Sequence, residues 1–128
     1  MNNKIQISVV SPVYNAEKLV DALVERIIAS VSKITPDFEI ILVDDFSPDS
    51  SWKKIKENCS KYSLVKGIKL SKNFGQQHAL AAGMENARGE WIVIMDCDLQ
   101  DRPEEIPSLY NKALEGYDIV LASRVQRR

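Results

Sequence analysis

The sequence predicts an α/β fold, a mostly parallel sheet with helices on both faces. Three observations carry that expectation. Short apolar runs rich in β-branched residues alternate with longer amphipathic stretches, the pattern of parallel strands joined by helical crossovers. Each apolar run ends at once in polar or turn-forming residues. The 128 residues, 45% hydrophobic and 27% charged, have the balance of one globular domain spanning 1–128.

Ile5 to Val10 reads as a buried first strand ending at Ser11-Pro12. Asn15 is placed to cap the next helix, with Glu17 in its first turn. Leu19, Leu23, Ile27 and Val31 recur every four residues and mark one buried helical face. Thr35-Pro36-Asp37 breaks that helix, and Phe38 to Val43 forms a second strand. A turn at Ser47-Pro48-Asp49 leads into a helix from Ser50 to Tyr62, and Leu64 to Leu70 is a third strand. Asn73-Phe74-Gly75 opens a helix with Leu80, Met84 and Ala87 on one side, and Gly89 suits a left-handed cap at its end. Trp91 to Met95 is a fourth, wholly apolar strand. Pro103 begins another helix, Gly116 ends it, and Tyr117 to Ala122 is a fifth strand.

Net charge is −1, so no global basic field suggests a nucleic-acid partner. Seven lysines between Lys53 and Lys72 face only Glu57; this reads first as a solvated surface and second as one that rests on anionic lipid. Cys59 and Cys97 are too far apart, without a histidine nearby, to suggest a zinc site or a disulfide framework, and a reduced, cytoplasmic setting is expected. No apolar run approaches the roughly 20 residues a bilayer span needs.

In an open α/β sheet, ligands bind beyond the carboxyl ends of the strands, where the strand order reverses. Pro12, Val13, Tyr14 and Asn15 leave the first strand there. Asp44 and Asp45 leave the second, Ser71, Lys72 and Asn73 the third, and Asp96, Asp98 and Gln100 the fourth. Neither glycine-rich phosphate loop is present. A diphosphate bound on this rim therefore needs another counter-charge. An Asp-x-Asp after a buried strand can provide one by holding Mg²⁺ or Mn²⁺, and Gln100 continues the alternation with a neutral oxygen. A carboxylate of the Asp44-Asp45 pair can accept the imide N–H of uracil, and the Tyr14 ring can lie against base or ribose. The bland alternatives are turn formation around Ser47 and Asp49 and a half-buried strand-end ring. His78, the one histidine, is expected to face solvent or pack, Cys97 to point into the core, and Trp52 and Trp91 to pack.

Ser-Pro-Val-Tyr-Asn-Ala-Glu, Val-Asp-Asp-Phe-Ser-Pro-Asp and Asn-Phe-Gly-Gln-Gln-His-Ala-Leu-Ala-Ala-Gly resemble segments of the family 2 glycosyltransferases, as does Ala-Arg-Gly-Glu-Trp-Ile-Val-Ile-Met-Asp-Cys-Asp-Leu-Gln-Asp-Arg-Pro-Glu-Glu-Ile-Pro. The last two segments are most similar to the branch that moves sugars onto polyprenyl or dolichyl phosphate. The resemblance implies a Rossmann-like GT-A nucleotide-binding half. It implies Pro12, Tyr14 and Asp45 on the nucleobase with Asp44 in support, Asp96 near ribose and diphosphate, and Asp98 with Gln100 on a metal. The matching segments add Val13, Asn15, Glu17, Lys72, Asn73 and Cys97 to the nucleotide set. Asp96 and Asp98 are the expected catalytic pair. The implied reaction is inverting transfer of a hexose from a nucleoside-diphosphate sugar, UDP favoured, to a polyprenyl phosphate. Alternatives are a saccharide hydroxyl acceptor, or nucleotide binding without turnover. The acceptor-binding part, general base and any membrane contact are expected beyond residue 128, with Arg124 and Arg127 starting the acceptor loop. Phe46 departs from the resemblance, standing where a polar residue is usual; so does Arg102.

Two other classes fit less well. A receiver-type signalling module needs its acidic pair after the first strand and a phosphoacceptor aspartate after the third, where this chain has Ser-Pro-Val-Tyr and Ser-Lys-Asn. A nucleotidyltransferase needs a glycine-rich basic loop after the first strand.

Overall fold

The computed structural model describes residues 4–115. The expected fifth strand and the residues Arg124 and Arg127 lie outside them. Four parallel strands, β1 (Ile7–Val13), β2 (Phe38–Asp44), β3 (Val65–Lys69) and β4 (Trp91–Ile94), form a sheet in the order β3-β2-β1-β4. The helices are α1 (Val20–Val31), α2 (Ser51–Lys61), α3 (Gln76–Asn86) and α4 (Ile106–Leu114), the last entered through a 3₁₀ turn at Pro103–Glu105. The chain winds outward from β1 to β3, then returns to the far side of β1. The order therefore reverses between β1 and β4, and their carboxyl ends open the crevice where such sheets bind ligands.

Strand alternation divides the core. Ile7, Val9, Val13, Ile40 and Leu42 face α1 and α2 in the larger cluster, which Leu23, Ile27 and Val31 of α1 complete as the four-residue spacing predicts. Val10, Ile41 and Val43 face α3 on the other side with Ala79. The α4 end returns to the α1 side, where Ile106 is buried, Tyr110 bonds Gln6, and Arg26 grips Glu104 through two bonds of 2.8 and 2.5 Å. Arg26, reinforced by nearby Arg102, draws the Glu104 carboxyl down to about 2 against a modest burial cost. The Trp52 and Trp91 rings pack half-buried against the core, as expected.

Four sequence expectations change. The first strand runs on to Val13. Beyond Val10 it pairs with β2 alone, because β4 stops at Ile94; Pro12 thus sits where one side of the strand needs no N–H. Second, α1 begins at Val20, not beside Asn15; Leu19 takes the cap position without a side-chain bond. Third, α3 seats itself on Ala79 and Gly83 while Met84 is 42% exposed. A Cβ on Gly83 would stand 2.4 Å from Val10 Cγ1, so a small residue here lets the helix lie closer to the sheet than the Leu80-Met84 side could. Fourth, Gly89 is no left-handed cap. Its Cβ would meet Ser8 N at 2.6 Å and the Ile7 carbonyl carbon at 2.9 Å, so it is required by the close approach of the α3–β4 connection to β1.

The β4 strand also differs from a strand covered on both faces. Ile92 is 38% exposed, because α3 lies over β1 and β2. At the other edge Lys66 and Lys69 punctuate β3, a common device against edge-to-edge pairing.

Candidate functional site

Parallel strands deliver their carboxyl ends to one rim, so the residues singled out after each strand share an edge. Two loops on that edge are bonded side by side. The Asp45 N–H donates to the Val13 carbonyl at 3.0 Å, and the Asn15 N–H donates to Ser47 Oγ at 2.8 Å. The junction continues with Ala16 N–H to Ser51 Oγ, Glu17 N–H to Asp49 Oδ2, and Ser50 N–H to Glu17 Oε1, at 3.0, 3.2 and 2.8 Å. Asn15 and Glu17 thus fasten the β1–α1 loop to the β2–α2 loop. Asp49 is the hub: burial pushes its carboxyl up, but bonds from Ser47, Ser51 and the Glu17 N–H outweigh that and hold it at about 2.

The acidic pair is buried, Asp44 fully and Asp45 to within 4%. Asp45 Oδ1 accepts the Phe74 N–H at 3.0 Å, which ties the loop after β3 to the end of β2. Asp44 Oδ1 accepts the Ser47 N–H at 3.3 Å, whereas Asp44 Oδ2, fully buried, has no hydrogen-bond partner among the described residues. Burial raises the Asp44 carboxyl above its ordinary 3.8, an effect the Ser47 N–H only partly offsets. Because the folded value is the raised one, ionised Asp44 opposes folding at neutral pH, and the cost disappears as pH falls through the folded value. A buried carboxylate oxygen left without a partner at such a cost is a feature that ligand sites, more often than cores, carry. Asp44→Asn is accordingly expected to change unfolding free energy at pH 7 by less than about 1 kcal/mol, measured by urea denaturation.

The third segment follows β4. It is a tight turn rather than the extended segment that alternation through Asp96, Asp98 and Gln100 requires. Leu99 has φ +66°, and the reversal brings the Gln100 N–H to Asp98 Oδ1 at 3.0 Å. Asp101 Oδ2 accepts the Asp96 N–H at 3.0 Å from a buried position. Asp98 and Gln100 are both exposed at the tip, and Asp96 is half-buried. Cys97 points inward, as expected; the Tyr14 N–H lies against its sulfur, and burial keeps the thiol above its ordinary value. That contact joins the ends of β1 and β4, as the Asp45–Val13 bond joins those of β2 and β1.

The candidate residues therefore differ in what they offer a ligand. Val13 and Pro12 are buried, and the Val13 carbonyl already serves the Asp45 N–H. Tyr14 is 44% exposed. Lys72 and Asn73 are exposed, with Lys72 Nζ 5.1 Å from the Phe74 ring centre. His78 is exposed with its ring 5.8 Å from Phe74. Sequence reasoning missed the anchoring roles of Ser47, Ser51, Asp49 and Asp101. Their only signal was a polar residue at each loop exit.

Among the described residues no group of three or more His, Cys, Asp or Glu converges to hold a metal ion. An oxygen-only pair at the tip of an exposed turn suits a hard cation that takes its remaining ligands from substrate phosphates and water.

The chain is an α/β protein with a doubly wound parallel sheet and carboxylates on both sides of its switch point, and solved structures place it in the GT-A fold. TarS 1–349 of S. aureus superposes with a TM-score of 0.64 at 25% identity, over 83% of this chain and 33% of that one. It is also known in complex with UDP. The mannosyltransferase PcManGT of Pyrobaculum calidifontis, in complex with GDP-Man and Mn²⁺, superposes at 0.70 with 21% identity, over 82% of this chain and 31% of that one; this likeness shows the fold alone. The glycosyl transferase family 2 model matches residues 8–128, and the chain belongs to that family. Among its relatives are undecaprenyl-phosphate 4-deoxy-4-formamido-L-arabinose transferases of Aeromonas hydrophila, 41% identical over 123 residues, and Proteus mirabilis, 43% identical over 124. These alignments cover 95% and 96% of this chain and 38% of each relative. The chain thus spans about two fifths of the length of the curated relatives it matches. No helix of the described residues is long and apolar enough to cross a membrane.

Proposed function

We propose that this chain is the nucleotide-sugar-binding part of a family 2 glycosyltransferase that transfers a sugar, with inversion, from a nucleoside diphosphate to polyprenyl phosphate. The observation that carries the reading is the buried, unpartnered Asp44 Oδ2 beside Asp45, at the end of the strand next to the switch point. The acidic pair receives the base, with Asp45 and Tyr14 in contact and Asp44 behind them. UDP is the favoured donor nucleotide, consistent with an imide N–H meeting a carboxylate. Asp96 lies toward the ribose and diphosphate.

Asp98 and Gln100 would hold Mg²⁺ or Mn²⁺, which offsets charge on the departing diphosphate. An acceptor phosphate, with second pKa about 6, is largely ionised at neutral pH and attacks without a strong base. Its oxygen bonds to the anomeric carbon as the carbon–oxygen bond to the donor diphosphate breaks, and the nucleoside diphosphate leaves with the electron pair. The names of the relatives support the polyprenyl phosphate acceptor.

Thermal-shift titration with UDP, GDP, CDP and dTDP, each with Mn²⁺, tests the donor reading. A ligand at 100 times its Kd stabilises by about 2.7 kcal/mol, a shift of several degrees. A shift for UDP well above the others is expected. No shift with any of the four would defeat the reading.

A further inference from the structure

Phe46 is an oddity of both sequence and backbone. It follows the acidic pair, has φ +59°, and leaves its ring 50% exposed. A non-glycine side chain in the left-handed region is strained, and an exposed aromatic ring gains little from packing, so neither local stability nor the core accounts for it. The bonding around it is specific. Val13-Tyr14-Asn15 and Asp45-Phe46-Ser47 are tied together at both ends, by Asp45 N–H to Val13 O and by Asn15 N–H to Ser47 Oγ. Tyr14 and Phe46 are therefore the middle residues of two adjacent, doubly fastened segments, and both rings stand out into solvent. A third exposed ring, Phe74 at 41%, is held to the same place by its N–H on Asp45 Oδ1. Three exposed aromatics thus lie on the three loops bonded together at one acidic pair, whose Asp44 Oδ2 is buried and without a hydrogen-bond partner among the described residues.

We infer that Phe46 is a base-recognition residue: with Tyr14 and Phe74 it forms an aromatic rim that takes the faces of a nucleobase while the acidic pair takes its polar edge. Aromatic faces favour a planar base without regard to its identity, whereas the carboxylates discriminate among edges. Phe46 therefore strengthens base binding, and the acidic pair selects the base. The inference rests on the nucleotide-binding reading above and adds a residue at which this chain departs from the usual pattern.

The test compares the chain with Phe46→Gly, Phe46→Leu and Phe46→Tyr by calorimetric titration of UDP and of inorganic pyrophosphate, both with Mn²⁺. Phe46→Gly relieves the backbone strain, so its melting temperature without ligand is expected to equal or exceed that of the parent. Its UDP affinity is expected to fall about tenfold, Phe46→Leu by less, and Phe46→Tyr to stay within about twofold, with pyrophosphate binding unchanged in all three. Equal UDP affinity in Phe46→Gly and the parent overturns the aromatic rim while leaving the nucleotide site intact. A parallel loss of pyrophosphate binding also overturns it, since it shows a structural role. Failure of the parent to bind any nucleotide overturns the site and the rim together.

Discussion

Asp98→Ala is expected to weaken UDP binding in Mn²⁺ by about a hundredfold and to leave the residual affinity indifferent to the metal. The size follows from the proposed donor set. With one carboxylate and one amide oxygen from the protein, removing the carboxylate takes away the only protein charge on the cation, and charged ligands dominate affinity for hard ions. A hundredfold corresponds to about 2.7 kcal/mol. The same change removes the Asp98 Oδ1 acceptor of the Gln100 N–H on an exposed turn, so stability without ligand should fall by no more than about 1 kcal/mol. Asp96 gives a less clean test, because it is half-buried and its backbone N–H is tied to the buried Asp101 within the same turn. Calorimetric titration of parent and variant with and without Mn²⁺ decides the matter. Metal-dependent UDP binding that survives in Asp98→Ala would remove Asp98 from the metal site.

The four described strands, their order in the chain and the rim they share were legible because each rests on a local pattern: an apolar run, a break, a polar exit. The position of Asp44 and Asp45 on that rim follows from where Phe38 to Val43 ends, and it is where the fold puts them. What was not legible depends on contacts between segments distant in sequence. Asn15 and Glu17 look like the start of a helix because capping residues and first-turn acids have that composition. They instead bond to Ser47, Asp49 and Ser50, more than thirty residues away. Gly89 looks like a cap because it follows a helix, yet its reason is the backbone of Ser8. The Asp96-Cys97-Asp98 turn was misread as extended because alternation continues the preceding strand, and nothing local announces that Leu99 turns left-handed.

The end of the sheet opposite the rim bears on the site through one residue that sequence reading passed over. Glu39, 1% exposed near the start of the apolar strand β2, is the kind of buried charge that persists only when fully bonded. Its carboxylate accepts Ser8 Oγ–H at 2.6 Å, the Arg88 N–H at 2.7 Å and Lys66 Nζ at 2.9 Å, while the Gly89 N–H donates to Ser8 Oγ at 2.8 Å. One carboxylate thereby joins β1, β2, β3 and the connection leading into β4, the strand that carries Asp96 and Asp98 to the rim. Glu39→Ala is expected to cost about 2–3 kcal/mol of unfolding free energy by urea denaturation. It leaves Ser8 Oγ and the Arg88 N–H short of a partner, while Lys66, 43% exposed, regains water. Burial pushes the Glu39 carboxyl up, but the bonds from Ser8, Arg88 and Lys66 outweigh it and leave the folded value below the ordinary 4.5. A depressed folded value means the stabilisation is complete above about pH 4.5 and is lost as pH falls through the lower folded value. The gap between parent and Glu39→Gln should therefore be constant from pH 8 to about 5 and narrow below it. A gap that widens on acidification would mean Glu39 is held protonated, and the junction would then be an ordinary neutral hydrogen-bond network rather than an ionic clasp on β4.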